Sequence, residues 1–245
     1  MWGVSGDLVY TEYNERLIIT RETARELSYR QVFIGIDTAY SNGEGRTLSG
    51  TALDNARVKH AYAVELCGIT RKDEKGVEAG TLVAIDEYYY SQEIYGKKKS
   101  QPELIKDTIE KIIEWARKYS SNPNILKGEI IIYVDSGDQG SIGALDAACK
   151  EYGLSNDINS RVLITGSTKT IKINSRVRFM NQLMGFGRVR FSIDCKHLIR
   201  EISHCKEGKG KPREDINDHA INAFEYGTIP MYPLTKDWSN FKIYR

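Results

Sequence analysis

With 245 residues, the chain has room for one large domain or two small ones, and 40% hydrophobic with 28% charged residues is an ordinary soluble, globular balance. No apolar run approaches a bilayer span and no basic segment precedes an apolar one at the N-terminus, so a membrane-embedded or exported protein is not expected. The net charge of +2 conceals an asymmetry: residues 161–213 carry 13 Lys/Arg against 3 Asp/Glu, whereas residues 1–160 carry 19 against 25.

Residues 1–30 show no clear periodicity and read as an arm or the end of an interdomain linker, with Asp7–Tyr10 and Leu17–Thr20 as short extended pieces. Met1 followed by Trp2 and Gly3 gives the impression of a chain cut from a larger protein. The core starts with a strand over 31–37, an apolar run that ends in Gly35-Ile36-Asp37. A polar loop, 41–58, leads to strands over 60–68 and 81–90, which a charged turn at 71–76 joins into an antiparallel meander. Ile105, Ile109, Ile112, Ile113 and Ala116 recur at helical spacing behind Pro102, which is tolerated in a first turn. The run Glu129-Ile130-Ile131-Ile132-Tyr133-Val134-Asp135 is a strand buried on both faces, reached through a helical crossover and therefore parallel to its partner. A helix from about 141 to 152, a strand at 162–164, a short helix marked by Val177, Met180, Leu183 and Met184, and a strand at 189–193 follow. Leu198, Ile199, Ile202 and Cys205 mark another helix, and the last runs from about 217 to 227. A tail, 231–245, closes the chain.

Three antiparallel strands, a helix, a parallel strand, then helices and further strands make an α/β fold. Its order is that of a ribonuclease H-like mixed sheet flanked by helices, spanning 31–230 with a basic insertion at about 166–192. Carboxylates of that fold lie on the first strand, the fourth strand and a late helix. Asp37, Asp135 and the Asp215/Asp218/His219 group occupy these places. Apolar strands that stop at Asp place a charge where burial ends, at the carboxyl edge where open α/β sheets bind ligands. The competing reading of Asp135 is a helix N-cap, and that of Asp218 a charge stabilising a helix dipole.

Hard oxygen ligands with open water positions suit Mg²⁺ or Mn²⁺, and a pair of such ions supports in-line phosphodiester hydrolysis. In that scheme Asp37 bridges, Asp135 holds one ion, and Asp218 or His219 holds the other. Asn222 lies at helical spacing from both, and Asp86 is a further acidic candidate on the third strand, for which a structural role is favoured, as for Glu87. Lys169, Lys172, Arg176, Arg178, Arg188 and Arg190 form the candidate phosphate track for double-stranded DNA, with loop 41–58 a lesser one. Cys67, Cys149, Cys195 and Cys205 lack CxxC spacing and read as reduced thiols. A zinc site from Cys195, His197, His204 and Cys205 is disfavoured because one helix does not bring all four to a common face.

The segments Phe33–Asp37, Ile85–Ser91, Val134–Ser136, Ile193–Glu201 and Asn217–Ala223, in that order, resemble the C-terminal nuclease domain of the large terminase subunit of tailed bacteriophages. The resemblance implies a metal-dependent endonuclease that cuts concatemeric viral DNA during packaging in the cytoplasm of an infected bacterium. It further implies portal and small-terminase partners and a packaging ATPase domain, for which this chain offers no GxxxxGK[ST]. Many members carry Asp where Asn222 stands here, which leaves the third ligand open between Asp218 and His219. The alternatives are a junction resolvase or transposase-like nuclease, an actin/Hsp70-type nucleotide-binding module, and a DNA-binding domain with a decayed site.

Overall fold

The computed structural model describes residues 8–38, 61–122, 125–126, 128–167, 171–209, 212–213 and 217–231. Strand β1 is Ile18–Ile19, β2 Tyr29–Asp37, β3 Tyr62–Thr70, β4 Leu82–Tyr90, β5 Gly128–Val134, β6 Ser160–Gly166 and β7 Val189–Ser192. They form one sheet in the order β1-β7-β4-β3-β2-β5-β6. The β2–β3 and β3–β4 pairs are antiparallel, whereas β2–β5, β5–β6, β4–β7 and β1–β7 are parallel. The five strands β4-β3-β2-β5-β6 reproduce the expected ribonuclease H-like arrangement. Beyond β4, strands β7 and β1 extend it.

The helices are α1 (Arg21–Glu26), α2 (Gln92–Tyr95), α3 (Gln101–Lys118), α4 (Gln139–Glu151), α5 (Leu154–Asp157), α6 (Ile173–Gly185), α7 (Lys196–His204) and α8 (His219–Met231). One face of the sheet packs on α3, α4 and α5 through Ile109, Trp115, Leu145 and Leu154. The other face packs on α6, α7 and α8 through Phe179, Leu198, Ala223 and Phe224. Helix α3 begins where Glu103 accepts a bond from the Ser100 amide at 2.7 Å, a capping-box contact that satisfies a free donor.

Residues 8–30 are tied into this core. Ile18 and Ile19 pair with Phe191 and Ser192, and Val9, Tyr10 and Leu17 are buried against α6 and α8. A two-residue strand carries too little periodicity to announce itself in sequence.

The approach of α8 to β2 positions everything that follows. A Cβ added at Gly35 would lie 1.9 Å from the carbonyl oxygen of Ala223 and 2.8 Å from the amide nitrogen of Gly227. Helix backbone therefore rests directly on strand backbone, a contact that only glycine permits.

Candidate active site

Asp37 closes β2, and Asp135 follows the last residue of β5. The Asp135 amide donates to the Ile36 carbonyl at 3.3 Å, so the parallel ladder carries both carboxylates to one level. Alternation along each strand sends both to the α8 face, the side of Gly35 and Tyr133. The sheet therefore delivers two acidic groups from neighbouring strands to one spot.

Helix α8 lies across them. His219 Nδ1 stands 3.0 Å from Asp37 Oδ2, and the Tyr226 hydroxyl, two helical turns on, donates to Asp135 Oδ2 at 3.2 Å. The other Asp135 oxygen accepts the Gly137 amide at 2.7 Å. The N-cap of α4 is Asp138, whose Oδ1 accepts from the Ser141 amide at 2.9 Å. Asp135 is therefore not the helix cap. Asp138 also accepts from the Thr38 hydroxyl at 2.7 Å, which buttresses the residue after Asp37.

Asp37 and His219 are nearly inaccessible, with relative exposures of 3% and 4%. Burial alone disfavours a charged imidazole, but the hydrogen bond and charge of Asp37, with Glu201 and Asp218, outweigh it and raise the His219 pKa to about 9. His219 is thus a cation donating to Asp37. Its Nε2 is buried with no hydrogen-bond partner among the described residues. Burial, with Asp37 and Asp135 nearby, also pushes the Tyr226 phenol up, so it remains a donor.

Asp218 is adjacent but differently engaged. Its Oδ2 lies 3.4 Å from Arg213 Nε and accepts from Asn222 Nδ2 at 3.2 Å. Asn222 Oδ1 in turn accepts from Arg213. Of the two spacings available to Asn222, the pair with Asp218 is the one that forms. Arg213 is itself buried, bonded to the Tyr10 hydroxyl at 2.9 Å and to Glu225 at 3.0 Å. Burial raises the Asp218 pKa against the opposing charges of Arg213 and His219.

Three further carboxyls line the same half of the sheet. Glu87 accepts from the His197 and Leu198 amides at 2.7 and 3.1 Å, and Glu201 from the Ala220 and Ile221 amides at 2.8 and 3.1 Å. Each caps the start of a helix, α7 and α8 respectively. Burial pushes Glu201 up to about 7 although His219 and the Ile221 amide oppose this. Glu65, in register with Gly35 and Glu87, is fully buried, and neither side-chain oxygen is hydrogen-bonded among the described residues. Burial and the charges of Glu87 and Glu201 lift its pKa well above the carboxylate range, so it is held as a neutral acid.

The other candidate residues lie elsewhere. Asp86 turns to the opposite face, where it accepts from Lys118 at 2.5 Å and from the Tyr119 hydroxyl at 2.8 Å. It does not join the site. Arg188 and Arg190 stand at the amino-terminal ends of β4 and β7, the far end of the sheet from Asp37. Arg188 donates to the Ala79 carbonyl at 2.8 Å and Arg190 to those of Gly187 and Val189 at 2.6 and 2.8 Å. Arg176 pairs with buried Glu225 at 2.9 Å. Lys172 and Arg178 are exposed at and on α6. Lys169, Asp215 and loop 41–58 fall outside the described residues. Cys67, Cys149, Cys195 and Cys205 are free and buried. Among the described residues, no three His, Cys, Asp or Glu side chains form a metal-binding group, zinc included.

Sequence reasoning missed Tyr226, Glu201 and Arg213. Tyr226 was detectable, because a residue seven positions after His219 returns to the same helix face. The Glu201 and Arg213 contacts join remote elements and leave no local pattern.

The sequence matches no protein-family model, and it matches no curated protein. In structure, the chain is similar to the large terminase of a thermophilic bacteriophage, at 14% identity and a TM-score of 0.58 over 92% of this chain. It is also similar to the P22 large terminase nuclease domain, at 12% identity and a TM-score of 0.52, covering 91% of this chain and 92% of that one. The fold is thus ribonuclease H-like, shared with the nuclease domain of large terminases. The chain spans 45% of the length of the thermophilic phage protein. Among the described residues, no helix is long and apolar enough to cross a membrane.

Proposed function

We propose that the chain is a divalent-metal-dependent endonuclease of the terminase type, cutting double-stranded concatemeric DNA during viral genome packaging. One observation carries this reading: Asp37 and Asp135 meet at adjacent strand ends beneath His219. The similar structures, a large terminase and a large terminase nuclease domain, agree with it.

The orphaned His219 nitrogen suits a metal. Once a metal displaces the Nε2 proton, the His219 imidazole, with Nδ1 given to Asp37, would have the form of a metal-ligating histidine with its orienting acid. Asp37 and Asp135 would hold one Mg²⁺ or Mn²⁺, and His219 Nε2, or Asp218 after release from Arg213, a second. Bound there, such ions lower the pKa of water and stabilise the leaving oxygen. The chain's own groups do the rest. Tyr226 fixes the Asp135 rotamer by its hydrogen bond, and Asp37 orients the His219 ring. Lys172 and Arg178 engage DNA phosphates as exposed cations. In this reading the protein works in the host cytoplasm with portal, small terminase and a packaging ATPase domain.

The purified chain is expected to nick and linearise plasmid DNA with Mn²⁺, with activity abolished by EDTA. Asp135→Asn should lose cleavage and keep DNA binding. If that variant cuts like the wild type, the site is misassigned. The Arg213–Asp218 pair and Asn222 favour one competing reading, a DNA-binding domain with a decayed site. It predicts salt-sensitive DNA binding with no metal-dependent cutting by the wild type.

A further inference from the structure

The first turn of α8 carries the site's late-helix groups, yet its own cap comes from elsewhere. Asp218 immediately precedes the helix, a position from which a carboxylate commonly accepts the free amides of the first turn. Its side chain instead contacts Asn222 and Arg213. The amides of Ala220 and Ile221 go to Glu201 Oε2. The second Glu201 oxygen accepts from the Tyr89 hydroxyl at 3.0 Å, which fixes the carboxyl from the β4 side. Glu201 is 4% exposed, and α7, which carries it, is anchored through its own first amides to Glu87 on β4. Two carboxyls in series thus tie the sheet to α7, and α7 to α8.

We propose that Glu201 is a positioning residue for the candidate nuclease centre, seating the first turn of α8 so that His219 reaches Asp37 while the Asp218 carboxylate is spared from capping. The role is one of reach: a planar group must place one acceptor oxygen at two backbone amides. It does not require charge. The proposal rests on the nuclease reading, and its test separates the two.

Glu201→Gln keeps the reach and removes the charge. Glu201→Asp keeps the charge and withdraws the oxygens by one methylene. Both are gentle on folding, which thermal unfolding checks. Mn²⁺ affinity is read by calorimetry, and plasmid cleavage is resolved into kcat and KM for DNA. Glu201→Asp should weaken Mn²⁺ binding and lower kcat by about tenfold or more, with KM for DNA little changed. Glu201→Gln should retain most of both, and amide exchange at Ala220 and Ile221 should be faster in the Asp variant alone. If Gln fails and Asp works, charge rather than position matters and the proposal is overturned. Two variants that both match the wild type overturn it equally. A wild type that neither binds Mn²⁺ nor cuts DNA instead overturns the nuclease reading beneath it.

Discussion

The acidic end of the sheet and the basic stretch 161–213 were both conspicuous in the sequence, and they met opposite fates in the fold. The acids converge. Asp37 and Asp135 belong to hydrogen-bonded neighbours, and ladder register leaves their carboxylates no other meeting place. The cations disperse: Arg213 and Arg176 turn inward to Glu225, while Arg188 and Arg190 cap carbonyls at the opposite end. Charge on a strand end has an address fixed by backbone geometry. Charge density along a chain has none, because each residue finds its own partner.

The largest effect should fall on the converged side. Asp37→Asn or Asp135→Asn is expected to lower metal-dependent cleavage on the order of a thousandfold or more, measured as plasmid turnover, with DNA affinity retained. Comparable cleavage would dissolve the contrast between the two regions.

Next comes the mount that brings α8 to the acids. Gly35→Ala forces a methyl group against the Ala223 carbonyl and should cost about 3 kcal/mol in urea unfolding. Cleavage should fall with it, since His219 rides on the displaced helix.

The His219–Asp37 pair sharpens the comparison through pH. The His219 pKa is raised from 6.5 to about 9, so metal-free folded protein binds the proton more tightly than unfolded chain. Its stabilising contribution is complete below pH 6.5 and disappears as pH rises through 9. Melting temperatures of the metal-free protein should therefore decline over this window, and His219→Gln should flatten that decline. An unchanged slope would remove the imidazolium from the site.

Smaller differences should sort the cations. Arg176→Ala strands part of a buried carboxylate and should cost about 2 kcal/mol. Lys172→Ala and Arg178→Ala should leave stability intact and each reduce the salt dependence of DNA binding by about one unit of slope. Arg190→Ala should leave DNA affinity unaltered, as binding titrations at two salt concentrations would show.

Legibility followed the same division. Strands β2 and β5 and their terminal acids were readable because an unbroken apolar run that stops at Asp is a local signal. Helix α3 was readable from its spacing and Pro102. The choice between Asp218 and His219 was not, since both sit in one helical turn and only the roll of α8 on Gly35 sends His219 to Asp37. Asp86 and Glu87 were readable as structural, but not the different faces they serve. Residues 1–30 were read as an arm because two-residue β1 and six-residue α1, which lie within them, are too short to show a period. Glu201 lay in a stretch already singled out, yet its partners are 19 and 20 residues away. No spacing rule connects a carboxyl to amides on another helix.

The glycine contact between β2 and α8 has a consequence for how such a chain can vary. Where two backbones touch, no side chain stands between them to be swapped for one slightly larger or smaller. A Cβ at Gly227 would likewise meet the Phe33 ring at 3.0 Å. The tilt of this helix therefore cannot be adjusted by gradual repacking, as most interfaces can. It is inherited whole or lost, which makes residue 35 decisive for whether His219 reaches Asp37 at all.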